Sequence, residues 1–551
     1  MKRALYISAL ALLATSCNFL EYDESTGTDP DTINDYFERV EEQVSAVYYY
    51  LDGDYGTVGS AMREAGTDNA YYTYSSSEVH NYGNGSWSST NAVDDRWSDF
   101  YSGVRAANKF LEEFSLEEME RFEYNNGTGF TTDYTIWLER ASYYEYEVRF
   151  IRAYCNFELA RRYGDIPLLK TSMTEDQINE VSQTAFADVI AYIVRECDAA
   201  AAELPLSYET TQTGRITRYA CLALKSRALL YLASPLHNPT SDPDLWKDAA
   251  DAAYELIALV KDNSDIKLYT TDEYINNKDS YQLILERRYT ASNSFEKANS
   301  PIGYENALTG TTPTQNLVDA FETIDGEPFD WSDPDMASNP YENRDPRLAS
   351  TVLYHNSRWQ SAFIDVIYGG TNALPIDGAT LTGYYLKKQL DEDIAITTLN
   401  STTAYHYWVI FRYPEILLNY AEALNECEGS SYTSSRYPMT ALAAVNEVRA
   451  SVGMPDFDAS LDQDAFRTKL RNERRVNFAF EDHRFWDIRR WDIGETTTNI
   501  QGVTLTSVGG GVYDYAINTI ETRQWDSKMN LYPIPKSEIY CNENLVQNPG
   551  W

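Results

Sequence analysis

The chain is poor in the residue types that most chemistry draws on. Its 551 residues include five histidines, at 80, 237, 355, 406 and 483, and six cysteines. The histidines stand alone, without metal-ligand spacing, and no CxxC pair announces a zinc site. No GxSxG elbow, HExxH helix or GxxxxGK loop occurs. The triple glycine 509–511 opens no helix, which argues against a phosphate cradle. Basic residues are also scarce: 45 Lys+Arg against 84 Asp+Glu, for a net charge of -39. A nucleic-acid ligand needs a basic face that releases counterions, and no Lys/Arg block supplies one. The alternating acids Asp333 and Asp335 lack the glycine and the closing glutamate of a calcium loop, so no metal or other cofactor is expected.

What is present begins at the N-terminus. Lys2 and Arg3 precede an apolar run, Ala4 to Ala14, too short to span a bilayer. Thr15 and Ser16 then lead into Cys17. A processing segment that ends on a cysteine reads as a lipoprotein signal over 1–16, with lipid on Cys17 as a membrane tether. Residues 17–30 are acidic and turn-rich, a flexible leash. The other five cysteines cannot all pair. Most sit among apolar residues at helical spacing, as buried free thiols do.

No Gly/Ser linker or charge run divides the remainder, so residues 31–551 are expected to form a single domain. The apolar period predicts helices near 33–51, 97–114, 143–163, 184–203, 217–234, 244–261, 413–427, 440–451 and 463–481. Gly164 stops the third of these and Pro167 follows. Their spacing suggests helix pairs of tetratricopeptide-like size, an all-α fold. Long turn-rich stretches at 262–350 and 351–410 interrupt the pairs, and loops of that length usually carry function.

Chemistry is sought where aromatics sit in polar loops. A pyranose has an apolar face, which a flat ring can stack on, and a rim of hydroxyls for Asn, Asp, Gln or Arg. The stretch HNYGNGSW, 80–87, places Trp87 among Gly, Asn and Ser, with Asn81 and Tyr82 close by. Trp87 is expected to form a sugar platform; the alternative is a plug folded under its own loop. Trp359 in HNSRWQ is a further aromatic that looks exposed. Trp97, Trp486 and Trp491 lie on helical patterns and are assigned to the core.

Several separate stretches together resemble the SusD/RagB family of surface glycan-binding lipoproteins from Bacteroidetes. They are RAYCNFELARRYGDIPLL, GRITRYACLALKSRALLYLAS, TPTQNLVDAFETIDG, ENRDPRL and RYPEILLNYAEALNE followed by AVNEVRASVGMP. The Arg-rich ERRVNFAFEDHRFWDIRRW and the terminal LYPIPKSEIYCNENLVQNPGW complete the set. The resemblance spans nearly the whole mature chain. It implies an all-α core of tetratricopeptide-like pairs with irregular segments over one side, an outer-membrane location at the cell surface, and no enzymatic activity. It also implies delivery of oligosaccharide to a SusC-like TonB-dependent transporter. It points to the loop before Trp97 and to SNSFEKANSPIGYENALTGT, 292–311, with Tyr304 preferred over Phe295 because its hydroxyl can also bond sugar. Asp68 and Asn69 match a family acid near the binding face, with turn capping as the other reading. The Arg-rich segment reads as scaffold held by internal ion pairs among Glu473, Glu481 and the neighbouring arginines, and QNPGW as a clasp that docks the C-terminus. A peptide-binding helical scaffold and a surface glycoside hydrolase are the rival readings; the latter needs a carboxylate pair across a sugar.

Overall fold

The computed structural model describes residues 34–121, 131–269 and 280–551. The proposed signal, Cys17 and the leash all lie outside them. Helices dominate: α1 (Phe37–Tyr48), α2 (Trp97–Glu113), α3 (Thr131–Tyr163), α4 (Phe186–Glu203), α5 (Arg218–Ala233), α6 (Pro243–Asn263), α7 (Tyr413–Cys427), α8 (Ala441–Ser451), α9 (Gln463–Asn477) and α10 (Arg484–Arg490).

Local sequence explains most of the boundaries. Thr217, Asp242, Thr440 and Asp462 each cap a helix by accepting a backbone N–H with the side chain. Pro243 and Pro414 occupy first turns, where a missing N–H costs nothing. Gly164 adopts φ +71 and its N–H reaches the Ala160 carbonyl, closing α3 in the left-handed manner glycine favours.

The helices pack largely on their neighbours in chain order. α2 packs on α3, α3 on α4, α4 on α5, α5 on α6, α6 on α7, and α7 on α8 and α9. This is the tetratricopeptide-like arrangement, with the interruption after α6 bridged by direct α6–α7 packing. Helix α7 is buried on every side from Tyr413 to Asn425, and one continuous apolar core runs from Phe37 to Leu545. Cys155, Cys197 and Cys221 are buried free thiols within it, Cys427 is half-buried and Cys541 is exposed.

Among the described residues the strands form only two-stranded antiparallel sheets. β1 (Ala70–Tyr72) pairs with β3 (Thr311–Pro313), and β2 (Leu283–Arg288) with β4 (Tyr407–Arg412). β5 (Asn499–Gly509) and β6 (Val512–Thr522) make one long hairpin. The β1–β3 pairing joins two loop regions 240 residues apart in sequence and gives the irregular side of the molecule its frame.

The Arg-rich segment is scaffold, and its two glutamates pair with cations of other elements, where neighbouring arginines were expected. Glu473 binds Arg347 and Arg449, and Glu481 binds Arg412 and Lys388. Arg490 takes Glu422 at 2.6 Å, and Arg474 takes Asp487 at 3.2 Å. Helix α9 ends at Asn477, four residues short of the periodicity, because Phe480 and Asp482 turn to φ +59 and +61 and carry Glu481 to its cations. Asp333 caps a short turn, accepting from the N–H groups of Asp335 and Met336.

Candidate functional site

The structure overturns the expected platform at Trp87. The indole is 3% exposed. It packs edge-on against Tyr82, Tyr532 and Trp551, with centroids 4.9–5.0 Å away. The 80–91 loop is a plug, and the C-terminal segment lies over it. Trp551 donates its Nε1 hydrogen to the carbonyls of Lys528 and Leu531, both at 3.0 Å, and Asn548 donates to those of Tyr163 and Tyr532. Tyr82 is buried beside Trp87 and its hydroxyl meets that of Tyr532 at 2.8 Å. Asn81 is half-buried and accepts a hydrogen bond from Asn84.

Four other expected residues are also interior. Asp68 is buried between Arg475 and Arg484, 2.9 Å from each, so it is neither a free hydroxyl acceptor nor a simple turn cap. Burial alone pushes its carboxyl up, but the two guanidinium groups outweigh this and hold it at about 2. Asn69 is buried as well; it donates to Glu64 and accepts from Arg475 Nε at 2.7 Å. Phe295 is buried with its edge on Tyr55, and Trp359 is wholly buried. An apolar ring left bare in water loses what burial would contribute, so the core took these rings.

Tyr304 is the expected aromatic that stays at the surface. It is half-buried and donates its hydroxyl hydrogen to the Trp359 carbonyl at 2.9 Å, which fixes the ring. Three loops meet there. The segment after β1 brings Tyr74, half-buried, whose neighbour Thr73 bonds Gly310 through its N–H at 3.0 Å. The 300–310 segment brings Tyr304. The 359–378 segment brings Tyr368, 70% exposed. Glycines permit the close approach: a Cβ on Gly303, at φ +98, would lie 2.4 Å from the Thr371 carbonyl oxygen, and one on Gly378, at φ +78, 3.2 Å from the Tyr74 hydroxyl. Asn372 locks the second and third loops together by donating to the Ile302 carbonyl.

Beside Tyr74 lies an open groove of about 450 Å³ lined by Ser60, Tyr72, Tyr74, Ser76 and Glu78. Its lining polar groups are hydroxyls and the Glu78 carboxylate. Tyr74 and Tyr368 escaped the sequence reading, although the signal that selected Trp87 occurs at both: a tyrosine in YTYSSS and in IYGGTN. What the local letters omit is which of these loops another segment covers.

Behind this face sits Glu64, buried, with its carboxyl driven up to about 8 by burial against the opposing Asn69 hydrogen bond. The folded chain therefore keeps a proton that the unfolded chain releases above about 4.3, and stability is lost as pH rises between those values. Glu64→Gln is expected to shrink the drop in urea midpoint between pH 5 and pH 8. An unchanged drop would show that Glu64 does not carry it.

Comparison with known proteins bears on the fold and the family. Residues 269–551 match the model of the SusD family, and residues 18–232 match the family described as "Starch-binding associating with outer membrane". The chain belongs to the SusD family. It is similar to SusD-like protein P25 of Formosa agariphila, 22% identical over 97% of this chain and 95% of that protein. A solved SusD-like protein from Bacteroides fragilis superposes with a TM-score of 0.77 at 27% identity, covering 96% of this chain and 99% of that one. A laminarin-binding SusD-like protein superposes with a TM-score of 0.62 at 19% identity, covering 93% and 99%, and shares the fold.

Proposed function

We propose that this SusD-family chain binds oligo- or polysaccharide at the outer membrane through the three-loop face of Tyr74, Tyr304 and Tyr368. The observation that carries the reading is the placement of these tyrosines on three loops that meet, with Tyr74 lining a hydroxyl-rich groove, while Trp87, Phe295 and Trp359 are folded into the core. A ring fixed by its own hydrogen bond loses little entropy when a sugar stacks on it. Capture is non-covalent, by stacking plus hydrogen bonds, without bond breaking. The family description and the carbohydrate-binding and laminarin-binding names of structural neighbours support a glycan ligand. On the same reading, lipid on Cys17 tethers the chain at the cell surface, and the captured ligand passes to a SusC-like TonB-dependent transporter.

The test is native affinity electrophoresis of the mature chain across a panel of soluble polysaccharides. A glycan that retards the wild type is expected to retard Tyr74→Ala and Tyr304→Ala about tenfold more weakly, since a ring contact contributes about 0.5–1.5 kcal/mol beyond the apolar area it buries. Trp359→Phe, an interior change, should bind as the wild type does. Binding that survives every loop-face substitution moves the site elsewhere, and release of reducing sugar would replace binding with hydrolysis.

A further inference from the structure

A second groove lies away from the loop face, between the C-terminal end of α1, the 212–215 loop and strand β2. It encloses about 520 Å³, within the range of small-ligand sites, and Tyr49, Gly214, Arg215, Arg287 and Tyr289 line it. Its charge runs against that of the chain. In a protein of net charge -39 this wall carries Arg215, Arg287 and Arg288 against the single carboxylate of Glu286.

Two of these arginines are neutralised. Arg215 binds Glu147 at 2.8 Å and Glu41 at 3.0 Å, and Arg288 binds Glu286 at 2.9 Å. Arg287 has no carboxylate among the described residues. Its guanidinium carbon lies instead over two rings, 5.3 Å from the centroid of Tyr49 and 4.8 Å from that of Tyr289. Tyr289 is held in turn by an edge-on contact with Tyr55 at 5.3 Å. Ring contacts of this kind do not use up N–H donors, and the N–H edge of a guanidinium is what grips an oxyanion in bidentate fashion. Tyr49, 73% exposed, adds an open aromatic surface at the mouth. At Gly214, φ is +94 and a Cβ would lie 2.7 Å from Arg288 Nε, so a glycine lets the loop close against this wall.

We infer that this groove is a second, separate saccharide site, selective for an acidic sugar whose carboxylate or sulfate is held by Arg287 while its ring stacks on Tyr49. The surrounding negative field disfavours long polyanions, so recognition rests on this one local cation and suits a short acidic oligosaccharide.

The experiment is calorimetric titration of the mature chain with an oligogalacturonate and with a sulfated galactan oligosaccharide, each beside its methyl-esterified or desulfated counterpart. Expected is binding of one acidic form, loss on esterification or desulfation, and at least tenfold weakening in Arg287→Met, with Arg287→Lys between. The two acidic probes separate carboxylate from sulfate as the anion. Tyr49→Ala, at an exposed ring, gives the same weakening without risk to folding. Tyr74→Ala on the loop face should leave acidic binding intact, which distinguishes this site from the one proposed above. The inference is overturned if neither acidic form binds, if the neutral counterparts bind as well, or if Arg287→Met and Tyr49→Ala bind like the wild type.

Discussion

Trp87→Ala is expected to destabilise the folded chain by about 3–5 kcal/mol, the range for emptying a buried large aromatic site. The indole is enclosed by Tyr82, Tyr532 and Trp551, and those rings come from a surface loop and from the last 20 residues of the chain. The cavity cannot collapse easily, because Tyr82 and Tyr532 are tied to each other and Tyr532 also to Asp94 at 3.1 Å. Trp87→Phe should cost far less. It keeps most of the apolar volume and removes an indole N–H that is buried without a partner among the described residues. The measurement is urea unfolding followed by circular dichroism, run beside glycan binding. A plug lowers the unfolding midpoint and leaves the affinity of the folded fraction alone. A platform would do the reverse, and an unchanged midpoint with lost affinity would reinstate Trp87 as a ligand contact.

That residue marks the boundary of what the sequence disclosed. The helices were legible because their information is local. The apolar stripe, the capping threonines and aspartates and the Gly164 stop lie within a few residues of what they determine, and α7 runs over the expected 413–427. The terminal QNPGW was legible as a clasp, but its target was not: Trp551 covers Trp87 from 464 positions away. An aromatic in a Gly/Asn/Ser loop carries the same letters whether that loop is bare, as at Tyr368, or roofed, as at Trp87. Burial of the latter follows from tertiary packing alone. The overrun at α9 has a similar cause. The period continues to Glu481, yet Arg412 and Lys388, some 70 to 90 residues upstream, draw that carboxylate into a turn. The partners of Asp68 were hidden for the same reason, since Arg475 and Arg484 are more than 400 residues away.

The charged interior yields the second large effect. Arg63, with its side chain 1% exposed, pairs with Asp94 at 2.9 Å and Asp482 at 2.6 Å, and lies 3.8 Å from Asp52. Arg162 shares Asp52 and Asp94 from the side of α3, and both guanidinium groups lie over Trp486. The network thus joins the loop that carries the candidate face, α3 and the Arg-rich segment in one unit. Desolvation of two charges offsets much of their attraction, so the intact network contributes little net stability, whereas deleting one cation leaves buried carboxylates uncompensated. Arg63→Met, which keeps the apolar stem, is expected to cost about 3–5 kcal/mol at neutral pH. The loss should be pH-dependent in a defined sense. In the wild type burial raises the Asp52 carboxyl, but Arg96, Arg63 and Arg162 outweigh it and hold it at about 2; Asp94 is lowered likewise, burial being outweighed by Arg63 and Arg162. A carboxyl lowered on folding stabilises the fold above its unfolded value of about 3.9 and loses that contribution as pH falls toward 2. Without Arg63 the same carboxylates take up protons at higher pH and shed their unfavourable charge. The gap between wild type and Arg63→Met should therefore be widest at pH 7 and narrow as pH falls through 4, read from urea midpoints at each pH. A gap that stays constant over that range would mean that Arg63 acts by filling space over Trp486 and not by charge.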